Sequence, residues 1–293
     1  MKRFCFFLTL IPLLALPDCT APKEGNYVAV TIETQRYFAE KIAGDKFTIH
    51  TVVPTGQSPE IYDPTPQQMV RVSKSLAYLQ IGLLGFEQAW IPQIQDQNPR
   101  MQLFDLSEGF TLIKEEEDDD HDHDGERHHH HPGGVDPHIW SSIGGARAIA
   151  ANTLKAFIAL DKDNETYYRQ NYNLLTNVID ETEQIIRQKL STLRSRAFII
   201  YHPSLTYFAD EFELIQLCIE TDGKEPSPAQ LKELVDQAKT YRANVIFVQQ
   251  EFDSKNAQRI AEETGCRLVT IHPQNYNWSD ELISIANALA DEQ

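Results

Sequence analysis

Basic side chains are scarce in this chain: 26 lysines and arginines face 43 aspartates and glutamates, a net charge of -17 over 293 residues. Such an anionic surface disfavours nucleic acid and anionic membranes as partners and attracts cations. Cysteine is equally sparse, at four residues, and no C-x-x-C pair occurs. Cys5 lies in an N-terminal apolar leader and Cys19 just behind it. Cys218 and Cys266 sit inside or beside apolar strand-like runs, where a buried thiol and a disulfide both suit the pattern. There is no HExxH, no convincing nucleophile elbow and no phosphate-cradling glycine loop, because GLLG and PGG are too short; the usual signals of an enzyme are missing. Beyond the leader no run approaches the ~20 apolar residues of a membrane span. No close internal repeat is present.

What is present begins with that leader. Lys2 and Arg3 precede FCFFLTLIPLLAL, too short to span a bilayer and built like the core of a signal peptide, so residues 1–18 are expected to direct export to the periplasm or the outer face of a bacterial membrane. Cys19 follows LPD and either accepts a lipid anchor or is left unmodified by cleavage nearby.

Apolar runs bounded by turn residues fall into two sets. The first comprises residues 27–32, 47–53, 76–82 and 101–107; the second comprises 196–202, 214–220, 244–251 and 267–272. Helical patterns separate them, and strands alternating with helices imply right-handed crossovers and parallel sheets. The expected fold is α/β: an N-terminal lobe over 26–140 and a C-terminal lobe over 196–293, each a four-stranded, mainly parallel sheet flanked by helices. Between them, 141–195 reads as helical. From Asn164 the residues Tyr168, Tyr172, Leu175, Val178, Ile179, Ile185, Ile186 and Leu190 recur at helical spacing. A helix of ~30 residues would run ~45 Å, long enough to strap both lobes together while serving as a core helix.

Residues 115–131 lack apolar content and carry His121, His123, His128, His129, His130 and His131 among carboxylates. Clustered imidazoles bind zinc and similar ions, so this acidic loop is expected to capture or sense metal. Elsewhere Glu60 in SPEIYDPTP, His138 in DPHIW, His202 in YHPSLTYF and His272 in TIHP fall where strands of parallel sheets should end, and ligands of open α/β sheets gather there. A single strand-end histidine is usually a hydrogen-bonded structural residue, but four such residues, two from each lobe, point to a divalent cation in the interlobe cleft. Asp63, Asp136 and Glu251 stand by as orienting or substitute carboxylates. His50, mid-strand, is excluded.

SPEIYDPTP, DPHIWSS, YHPSLTYFADEF, GKEPSPAQLKEL, VIFVQQEFDSKNAQRIAEETG, VTIHP and IGLLGFEQAW together resemble the periplasmic metal-binding components of zinc and manganese ABC importers, the ZnuA- and TroA-like solute-binding proteins. The resemblance covers nearly all of the chain after the leader. It implies two α/β lobes joined by one long backbone helix, a metal between them, a membrane permease as partner, a monomer and no catalysis. His138 and His202 fall on the family's second and third metal positions. Glu60 stands where histidine is usual, with Asp63 near that motif's acidic position, and His272 stands where aspartate or glutamate is usual. Three imidazoles favour zinc over the harder manganese, and the histidine-rich loop resembles that of zinc-specific members. The rival readings are a manganese-binding adhesin or metal buffer on the same fold, and a zinc hydrolase in which Glu60 swings away to act as a base.

Overall fold

The computed structural model describes residues 26–114, 134–220, 226–252 and 254–291. The first half runs β1 (Tyr27–Val30), α1 (Glu33–Ala43), β2 (Thr48–Thr51), α2 (Pro66–Val72), β3 (Ala77–Gln80), α3 (Gly85–Gln97) and β4 (Gln102–Asp105). A single 3-10 turn at Ile139–Ser141 leads into α4 (Ile143–Leu160) and α5 (Glu165–Leu190). The second half runs β5 (Ala197–Ile200), α6 (Thr206–Glu211), β6 (Ile215–Cys218), α7 (Pro228–Tyr241), β7 (Val245–Gln249), α8 (Lys255–Thr264), β8 (Arg267–Ile271) and α9 (Trp278–Ala290). All eight expected strands are there, each trimmed at its ends where the chain turns into a loop. The two sheets are parallel throughout and share one order, β2-β1-β3-β4 and β6-β5-β7-β8. Their inner strands, such as AFII in β5 and VIFVQ in β7, are buried on both faces, as parallel strands covered by helices must be.

The connecting helix α5 has 26 residues and so runs about 39 Å, shorter than the expected ~45 Å, because it starts one residue after Asn164, which closes a 3-10 turn, and stops at Leu190. Tyr168, Leu175, Ile179, Thr182, Ile186 and Leu190 form its buried stripe, while Ile185 points out, 37% exposed. That stripe packs on α1 and α4 on one side and α9 on the other, so the helix is both strap and core element. One apolar core consequently runs through both halves, from Val28 and Phe38 to Phe247 and Trp278. Polar bonds cross the same boundary: Trp278 Nε1 donates to the Trp140 carbonyl at 2.7 Å, Tyr276 Oη to Glu40 at 2.7 Å, and Thr34 Oγ1 to the Asn275 carbonyl at 3.1 Å.

Cys218 and Cys266 are free thiols. Cys218 ends β6 at one edge of the second sheet and Cys266 precedes β8 at the other, too far across the sheet to pair. Burial pushes the Cys218 thiol up to about 12, which keeps it protonated and unreactive. No helix among the described residues is long and apolar enough to cross a membrane.

Behind the end of β3 lies a buried carboxylate, Glu87. It accepts from the backbone N–H groups of Ile81 at 3.1 Å and Gly82 at 2.6 Å and from Thr31 Oγ1, whose hydroxyl also meets Tyr78 Oη at 3.0 Å. Burial pushes its carboxyl up to about 7, against the pull of these hydrogen bonds. A carboxyl whose pKa is higher folded than unfolded binds a proton more tightly in the native state, so its contribution is present at low pH and lost as pH rises through the folded value. The contribution of Glu87 to stability is therefore expected to fall by roughly 2–3 kcal/mol between pH 5 and pH 8. Urea unfolding of the wild type and of Glu87→Gln at both pH values checks this: the change between the two pH values should differ by about that amount between them.

Candidate metal centre

In open parallel sheets the crevice for a ligand opens where adjacent strands send their connections to opposite sides, here between β1 and β3 and between β5 and β7. His202 follows β5 and Glu251 follows β7, so the second crevice carries an imidazole and a carboxylate side by side. Gln249, the last residue of β7, fixes His202: its Nε2 donates to the His202 carbonyl at 2.6 Å and to Ser204 Oγ at 2.9 Å, while its Oε1 accepts from the His202 N–H at 3.3 Å.

Glu60 rides on the loop between β2 and α2. The DPTP tetrapeptide ends that loop, with Thr65 as N-cap accepting from the Gln68 N–H and Pro66 opening α2. Glu60 is held against the start of α3: the Pro59 carbonyl accepts from the Phe86 N–H at 2.8 Å and Glu60 Oε2 accepts from the Gly85 N–H at 3.2 Å. A Cβ on Gly85 would lie 2.2 Å from the Glu60 carbonyl oxygen, so only glycine permits this approach. His138 precedes the 3-10 turn that leads into α4 and is 3% exposed.

Glu60 and His138 from the first half and His202 and Glu251 from the second line one small cavity, together with Trp140, Ser204 and Phe252. Its volume is about 10 Å³, room for a single ion or water and for no organic ligand. The rings of His138 and His202 meet edge to face with centroids 5.1 Å apart, and His202 stacks on Phe252 at 5.3 Å. Each imidazole is backed by a carboxylate. His138 Nδ1 lies 2.9 Å from Asp136 Oδ1, which also accepts from the His138 backbone N–H at 2.7 Å; His202 Nδ1 lies 3.3 Å from Glu220 Oε2. With Nδ1 donating, Nε2 carries the lone pair, the arrangement that orients metal-ligating histidines. Burial raises the Asp136 carboxyl, but the His138 imidazole and hydrogen bonds from His138 and Thr206 outweigh it and hold the group below the usual carboxylate range.

His272 borders the neighbouring cavity. It lines an adjoining interlobe cavity of about 260 Å³ with Glu33, Val53, Gln250 and Tyr276; the two cavities share Glu251, Pro273 and Gln274. The reason is topological: His272 follows β8, the edge strand, one position beyond the β5–β7 crevice. Its backbone N–H is held by Glu281 at 2.6 Å. Among the described residues no three imidazole, carboxylate or thiol groups already stand at coordinating separation. Asp63 is exposed and lines neither cavity, and His50 stacks on Tyr27 in the first sheet at 5.0 Å. The orienting roles of Glu220 and Gln249 were missed in the sequence, although Gln249 ends β7 and Glu220 lies two residues past β6, the strands that flank β5. His121, His123, His128, His129, His130, His131 and Cys19 lie outside the described residues.

Two parallel α/β lobes of one strand order, strapped by a helix that packs on both and enclosing an ion-sized polar cavity, define a protein of the metal-binding, solute-binding class. The profile of the ZnuA family, zinc-uptake complex component A, periplasmic, matches residues 28–287, and the chain belongs to that family. A crystal structure of ZnuA superposes with a TM-score of 0.82 at 34% identity, covering 91% of this chain and 98% of that one. Among curated relatives, the high-affinity zinc uptake system protein ZnuA of Bacillus subtilis is 27% identical, covering 90% of this chain and 83% of its own length. A manganese ABC transporter substrate-binding lipoprotein, PsaA of Streptococcus anginosus, is 24% identical over 90% of this chain and 87% of its own. The chain is thus an extracytoplasmic divalent-metal-binding component of an ABC-type importer and not an enzyme.

Proposed function

We propose that the cargo is zinc, held by Glu60, His138 and His202 with His272 completing a tetrahedral set, and passed to a membrane permease by a monomeric, exported chain that Cys19 tethers when lipidated. The observation that supports this best is the ion-sized cavity lined by Glu60 and His138 of one lobe and His202 of the other, with each imidazole backed by a carboxylate. Nitrogen-rich tetrahedral sets suit zinc, with bonds of ~2.0–2.2 Å, whereas manganese favours oxygen-rich, octahedral ones. The relatives divide between the two metals, so the donor set is the argument for zinc. The histidine-rich loop at 115–131 would collect zinc or signal its abundance without being the main site.

The cavity already carries three of the four donors, drawn from both lobes, so capture is expected to need side-chain adjustment and the approach of His272. Release follows from the same build. The α5 strap and the Trp278, Tyr276 and Thr34 bonds restrain large hinge opening, so docking on the permease has to displace a ligand, not part the lobes. Zinc binding measured by competition with a chromophoric chelator tests the reading, with manganese expected to compete poorly.

Two outcomes sharpen it. Imidazole must be neutral to ligate, so affinity is expected to fall as the solution is acidified from pH 8 to pH 5. Isothermal titration between pH 8 and pH 5 reads this directly, and a flat profile rules histidine ligation out. Asp136→Asn removes the charge that orients His138 and is expected to weaken zinc binding roughly 10–100-fold while the fold persists; chelator competition alongside circular dichroism separates these.

A further inference from the structure

Glu251 stands where the two interlobe cavities adjoin. It follows β7, the strand hydrogen-bonded directly to β5, so it lies beside His202; His272 follows β8, one strand further out. Glu251 is on the wall of the cavity that holds Glu60, His138 and His202, and also on the wall of the cavity that holds His272, which puts it between the histidine and the rest of the set. It is electrostatically coupled to both imidazoles: burial pushes its carboxyl up, and His202 and His272 pull it down. Its neighbour Phe252 is stacked on the His202 ring, which ties the residue after Glu251 to that imidazole.

We propose that Glu251 is a specificity-determining donor of this site, supplying a carboxylate oxygen to the ion in competition with the His272 nitrogen. The proposal rests on the interlobe site described above. With His272 engaged, the set is three nitrogens and one oxygen, which suits zinc. With Glu251 engaged, the set becomes two nitrogens and two carboxylates, and a bidentate carboxylate or added water can raise the coordination number toward what manganese requires. The balance between two side chains on neighbouring strands therefore sets the ratio of manganese to zinc affinity, and the exchange of donors gives the ion a stepwise path between the two cavities.

The test is a competition of zinc and manganese for the full chain, read by metal content after equilibrium dialysis, in wild type, Glu251→Gln, Glu251→Asp, His272→Gln and His202→Ala. Glu251→Gln is expected to weaken manganese at least tenfold while changing zinc less than threefold, and Glu251→Asp to restore part of the manganese binding. His272→Gln is expected to shift the ratio the other way, toward manganese. If Glu251→Gln leaves both affinities unchanged, or lowers both by the same factor, the proposal is overturned. His202→Ala separates the two levels: if it retains both metals, the interlobe site itself is wrong, whereas loss of both metals there with an unmoved ratio in Glu251→Gln removes only the role of Glu251.

Discussion

Replacing His138 with alanine is expected to lower zinc affinity at least about 100-fold. Tight four-ligand zinc sites are worth about 10–16 kcal/mol in all, so one ligand contributes on the order of 3 kcal/mol, or about two decades. The loss at His138 should exceed this share for a local reason. The imidazole is 3% exposed and its Nδ1 engages Asp136, whose carboxylate is itself buried and held ionised by that contact. Removing the ring leaves a buried charge facing an empty volume, which costs stability as well as affinity. His138→Gln tests the difference, since its amide can still meet Asp136 without ligating as imidazole does. Affinity should stay low in both variants, while thermal stability should recover in the glutamine form. Zinc affinity of His138→Ala within threefold of wild type would remove His138 from the site.

Trp278→Ala is expected to destabilise the chain by about 3–5 kcal/mol, as large aromatic truncations in cores do, and to lower its melting temperature by roughly 10 °C. The indole is 2% exposed, packs on Phe38 at 5.4 Å and donates Nε1–H to the Trp140 carbonyl at 2.7 Å. It thus joins the first residue of α9 in the second lobe to α1 and to the turn that carries His138 in the first. Because the accepting carbonyl is two residues from His138, the variant is also expected to weaken metal binding. Trp278→Phe keeps most of the apolar contact and loses the hydrogen bond, so it should recover all but about 1 kcal/mol. Differential scanning calorimetry of the two variants decides between an interlobe pin and a replaceable core side chain.

The architecture was legible because parallel strands buried on both faces read as continuous apolar runs: YVAV, AFII and VIFVQ could hardly be anything else between helical patterns. The long helix was legible from its stripe, its start to within one residue, but the 3-10 turn over Lys162–Asn164 before it was not, since three residues are too few to show a period. Glu60, His138 and His202 could be singled out because each ends a strand or a proline-framed loop on the side where sheets bind ligands. That His272 lines the adjoining cavity was not legible. It depends on β8 lying outside β7, and strand order is not written in any single segment. The partners Glu220 and Gln249 were hidden for a related reason, since their roles arise only once β6 and β7 flank β5. Glu251 was visible as a carboxylate after a strand, yet its place between two cavities appears only in three dimensions.

Anomalous scattering at the zinc absorption edge from crystals of the zinc-loaded protein tests the interlobe site most directly. One strong peak is expected between the lobes, within about 2.2 Å of Nε2 of both His138 and His202 and of a Glu60 oxygen. A zinc peak bound away from these three side chains, with their cavity vacant, would contradict it.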